Sequence, residues 1–103
     1  MSSIKDLSNI ILNVVCEYFD VPIGEITSKC SNANVVDARQ FAVYILSCSG
    51  YRTSYIADFM NVSPRYVNTI ISTFNTRIKH NLVLNSAYEA IRNKLRTATA
   101  TIT

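Results

Sequence analysis

Between Tyr55 and Ile70 the chain reads Tyr-Ile-Ala-Asp-Phe-Met-Asn-Val-Ser-Pro-Arg-Tyr-Val-Asn-Thr-Ile, and the side chains after Pro64 are suited to hydrogen bonding rather than to bond making. In a helical register over 64–80, Arg65, Tyr66, Asn68, Thr69, Ser72, Thr73, Thr76 and Arg77 share one side, with two cations and no acid among them. An arginine can place two N–H donors on the O6 and N7 edge of guanine, an asparagine can pair with adenine, and hydroxyls reach bases or phosphates. Ordinary exposed helix faces mix Glu with Lys, whereas Thr, Ser and Asn are weak helix formers that bring no solubility advantage. The pattern points to readout of double-stranded DNA. The competing reading is a helical hairpin that docks on a protein partner.

The residues in front of this face supply the scaffold it needs. A helix-turn-helix requires a small residue where its helices cross, a turn residue tolerant of positive φ four positions later, an apolar plug, and a capped second helix. Ala57, Asn61, Val62 and Ser63 meet those requirements in order, Pro64 opens the second helix, and Val67, Ile70, Ile71, Phe74 and Ile78 recur at core spacing. Arg65, Asn68 and Thr69 would then face bases. Arg52, Thr53, Ser54, Tyr66 and Arg77 would meet phosphates. Tyr66 also has the alternative of packing against the first helix of the hairpin.

Other chemistries find no support. The single histidine, His80, has no Cys or His close in sequence, and no Ser-His-Asp, Cys-His or paired-carboxylate arrangement is recognisable. Cys16, Cys30 and Cys48 are odd in number and lack metal or redox spacing, so they read as reduced, partly buried thiols of a cytoplasmic protein. Gly24 and Gly50 are the only glycines, which excludes a GxxxxGK[ST] phosphate loop. The apolar run from Ile10 to Val15 is short and interrupted by Asn13, too little for a membrane span or a signal segment. A non-enzymatic protein without cofactor, metal or nucleotide is expected.

The elements that must carry the hairpin are all helical. The chain has 103 residues, 49% apolar and 17% charged, enough for one domain with a real core. We place that domain at residues 1–96, with a flexible tail at 97–103. Ile4, Leu7, Ile11, Val14, Val15 and Tyr18 mark a first helix, with Ser3 and Asp6 as a capping pair. Pro22 fits the first turn of a short helix ending near Thr27, and residues 28–34 read as a loop. Asn34 would cap a helix over 35–49 that is apolar nearly all round, hence central, and Gly50 would end it. Helices at 54–60, 64–80 and 87–96 follow, the last capped by Ser86 and Glu89. The expected fold is an all-α bundle of five to six helices containing a helix-turn-helix.

Charge is unevenly spread. Residues 1–50 carry a net charge of −2 and residues 51–103 a net charge of +5, which places the positive excess in the half holding the hairpin. So weakly basic a domain would gain from dimerisation or from a protein partner bringing a second half-site.

Beyond the hairpin, Glu17-Tyr18-Phe19, Ser28-Lys29 and Arg39-Gln40-Phe41-Ala42 occur in an order that resembles the C-terminal DNA-binding domain of the bacterial replication initiator DnaA, over about residues 10–80. The resemblance implies an all-helical fold related to the Trp repressor and phosphate contacts at Arg39 and Gln40, in a stand-alone regulator of replication or transcription. Two departures stand out. The loop after Lys29, normally arginine-rich and directed at the minor groove, is Cys30-Ser31-Asn32-Ala33-Asn34 here. The recognition signature Asp-His-Thr-Thr is replaced by Ser63-Pro64-Arg65-Tyr66, which implies a target other than the initiator's usual box.

Overall fold

The computed structural model describes residues 3–28 and 32–100. Among them the chain is all helical, in the order α1 Ser3–Phe19, α2 Ile23–Ile26, α3 Ala33–Cys48, α4 Thr53–Met60, α5 Pro64–His80 and α6 Leu82–Ala100. None of these helices is long and apolar enough to cross a membrane. The side chains of Ser3 and Asp6, read as a capping pair, lie outside the described part, as do residues 29–31 and 101–103.

The central position of α3 follows from its composition. Val35, Ala38, Phe41, Ala42, Val43, Ile45 and Leu46 are buried on several sides of it, and α1, α2, α4 and α5 all pack against it. Phe41 meets the Phe74 ring of α5 edge to face at 4.8 Å and the Phe19 ring of α1 at 5.3 Å, which joins three helices through aromatic contacts. The last helix, α6, closes the bundle on α1 and α5.

Three helix ends share one geometry. Asp20, Gly50 and Asn61 have φ of 56°, 99° and 58°, and the residue after each donates its N–H back across the last turn: Val21 to Cys16 O, Tyr51 to Leu46 O, Val62 to Ala57 O. A left-handed residue followed by such a bond satisfies carbonyls that the helix end would otherwise leave orphaned. Gly50 and Asn61 match their expected roles; Asp20 is an addition.

Several boundaries differ from the sequence reading. Asn32, not Asn34, caps α3, its Oδ1 accepting from the Asn34 N–H at 3.0 Å, so the helix starts earlier than read. Pro22 has an extended ψ of 140° and precedes α2 rather than lying in its first turn. The largest difference is α6, read as 87–96. Asn81 Oδ1 accepts from the N–H groups of Val83 and Leu84, starting the helix at Leu82 and leaving Ser86 and Glu89 within it. Residues 97–100, read as tail, continue the same helix.

Candidate nucleic-acid interface

The turn between α4 and α5 is built as the residue types require. Asn61 holds the left-handed conformation, Ala57 is buried at the crossing, and Val62 packs half-buried against the core. Ser63 Oγ accepts from the Tyr66 N–H at 3.1 Å, and Pro64 occupies the first helical position. On the inner side of α5, Val67, Ile70 and Phe74 are buried, while Ile71 and Ile78 pack half-buried at the margin.

That inward stripe fixes what turns outward. Arg65, Asn68, Thr69, Ser72 and Thr73 line one shallow surface depression, which brings the three expected base-facing residues together. Thr53, in the first turn of α4, donates from Oγ1 to the Asn68 amide Oδ1 at 3.4 Å. The Thr73 hydroxyl donates to Thr69 O at 2.8 Å and is thereby committed to its own helix. No acid occurs in α5, and Asp58 is the acid of α4.

The residues expected at phosphates divide into two groups. Arg52 precedes α4 without capping it and is exposed, Ser54 is exposed beside it, and Thr53 is half-buried. Further along, Arg77 Nη1 donates to Gln40 Oε1 at 3.1 Å, and the same guanidinium sits 5.6 Å from the centre of the Phe74 ring. Arg77 is therefore held over α5 and α3 by a hydrogen bond and a ring face. Tyr66 is half-buried against the core.

Arg39, expected at a phosphate, is turned into the protein. It is 9% exposed, donating from Nε to Ile26 O at 2.9 Å and from Nη2 to Ser28 O at 2.8 Å. Its charge is spent on carbonyls at the end of α2, because that short helix stops without residues of its own to cover them. Between these two carbonyls lies that of Thr27, which accepts from Asn61 Nδ2 at 3.1 Å. Sequence reasoning assigned Asn61 only its backbone role. The signal available was asparagine, rather than the less costly glycine, at a left-handed position.

A second polar group away from the depression was also missed. Tyr44 OH donates to Asn75 Oδ1 at 3.3 Å, and burial, reinforced by the nearby Cys48 thiol, pushes the phenol up to about 12. Tyr44 thus stays a neutral donor through the physiological range. Burial also raises the Cys16 thiol, in keeping with an inert core cysteine, whereas Cys48 is exposed rather than partly buried as read.

Comparison with known proteins adds to this geometry. Residues 8–73 match the family described as bacterial dnaA protein helix-turn-helix. The chain is also similar to the chromosomal replication initiator protein DnaA of Nautilia profundicola, at 27% identity over 88 residues. That alignment takes in 84% of this chain and 20% of the relative, so the chain spans a fifth of the relative's length.

Proposed function

The chain belongs to the bacterial DnaA helix-turn-helix family, and from that premise we propose that it binds double-stranded DNA with α5 in the major groove, N-terminus first. The observation that carries this reading is the acid-free depression shared by Arg65, Asn68 and Thr69 next to the capped start of α5. Arg65 reads a guanine edge, and Asn68 and Thr69 read neighbouring bases. Arg52 and Ser54 at the start of α4, with the Gln40 and Arg77 pair, contact phosphates on the flanks. Thr53 helps by orienting the Asn68 amide. Tyr66 serves chiefly as a buttress. Arg39 is assigned to positioning rather than to contact.

The target differs from the family's usual box, because Ser63-Pro64-Arg65-Tyr66 offers other donors at the start of the reading helix. The biological role that follows is control of replication or transcription by a non-enzymatic DNA-binding domain in the cytoplasm. Fluorescence anisotropy with a mixed-sequence duplex, at low and at moderate salt, tests the reading. Binding that weakens with salt supports it. Failure to bind at either salt rejects it in favour of a protein-docking hairpin.

A further inference from the structure

Three consecutive carbonyls at the end of α2 are each held by a side chain from elsewhere: Ile26 O and Ser28 O by Arg39 of α3, Thr27 O by Asn61 of the helix-turn-helix turn. The Arg39 bonds are expected of any short helix that must dock on its neighbour. The Asn61 bond is different, because it reaches 34 residues back from the turn that aims the reading helix.

Two properties of Asn61 separate its duties. Its φ of 58° and ψ of 47° form the left-handed turn, a duty glycine performs without a side chain. Its amide Nδ2 donates to Thr27 O, a duty glycine cannot perform. Two residues later Ser63 caps α5, so the tie joins the end of α2 to the N-terminal end of the reading helix through a very short path.

Resting on the DNA reading above, we infer that Asn61 is a positioning residue for the interface, fixing the α2 end, Thr27 and Ser28, in register with Arg65 and Asn68 on α5. Both segments then meet one duplex together: α5 enters the major groove and the α2 end lies along the adjoining backbone. Without the tie Arg39 still holds Ile26 O and Ser28 O, but the Thr27 carbonyl between them loses its direct link to the turn before α5.

The test uses Asn61→Gly in the whole chain, with a duplex that the wild-type chain has selected from a random pool. Because glycine keeps the left-handed turn, the variant is expected to melt within a few degrees of wild type, whereas Asn61→Ala, strained at this φ, should melt clearly lower. Affinity of Asn61→Gly should fall about three- to tenfold, the order of one net hydrogen bond. Hydroxyl-radical protection should shorten at one end of the site, while methylation interference at the purines under α5 stays as in wild type. Nitrogen-15 relaxation of the free variant should show new motion at Thr27 and Ser28.

Wild-type affinity with full-length protection in Asn61→Gly would overturn the inference. So would a uniform loss of backbone protection and purine interference, which would make Asn61 an ordinary scaffold residue. A wild-type chain that selects no duplex at all would instead overturn the DNA reading, and the inference with it.

Discussion

Arg39 carries a full positive charge beside Gln40, yet the two residues face different tasks. The guanidinium is buried against Ile26 O and Ser28 O, while Gln40 accepts from Arg77 near the surface. Replacing Arg39 by alanine leaves two carbonyls without their donor, at a cost of about 2–3 kcal/mol, whereas Gln40→Ala should change stability by less than about 0.5 kcal/mol. Thermal unfolding followed by circular dichroism checks both values. Equal effects would show that the Arg39 bonds contribute little. This division was not legible in the sequence, where the resemblance assigned both residues to phosphate. The acceptors are backbone carbonyls 13 and 11 residues away, and a carbonyl leaves no mark in residue identity. By contrast, Ala57, Asn61, Ser63 and Pro64 were legible, because their duties are local and each residue type has a steric or capping reason to stand there.

Elements begin and end here through identifiable caps, and these sort the correct boundaries from the misplaced ones. Helix α5 was read correctly because Ser63 and Pro64 punctuate it and its apolar stripe starts at once with Val67. The start of helix α6 is hidden in the sequence because Leu82 and Val83 are apolar but exposed, which blurs the period; the inward stripe runs through buried Ala87 and Ile91, flanked by half-buried Leu84 and Leu95. Its cap is Asn81, whose Oδ1 accepts two N–H donors, and Ser86 lies a turn inside. Asn81→Ala should therefore cost about 1 kcal/mol, which for a domain of this size lowers Tm by roughly 4–8 °C, while Ser86→Ala should be near neutral. The reverse order in a melting experiment would restore the later helix start. The central α3 was legible for a different reason: a helix apolar nearly all round has no solvent face, and its burial by four neighbours follows.

At the scale of the whole molecule, a longest dimension of 34 Å matches about one turn of duplex, so one copy can address a single half-site, roughly ten base pairs from the next. Charge sets how strongly it holds on. The start of α4 and the length of α5 offer Arg52, Arg65, Arg77 and Lys79, and with Arg65 on a base edge phosphate neutralisation is limited to two or three contacts. The logarithm of the binding constant should thus fall with the logarithm of salt concentration at a slope of about −2 to −3, measured by anisotropy across a salt series. A much steeper slope would place further cations at the interface. With so few cations, the proposed mode of binding takes specificity from base edges more than affinity from the backbone. The most direct test of this central claim is selection of bound sites from a random duplex pool by the wild-type chain and by Arg65→Ala. The account predicts an enriched motif for wild type, and for Arg65→Ala the loss of preference at one guanine with the remaining positions intact. No enriched motif, or the same motif from both proteins, would contradict it.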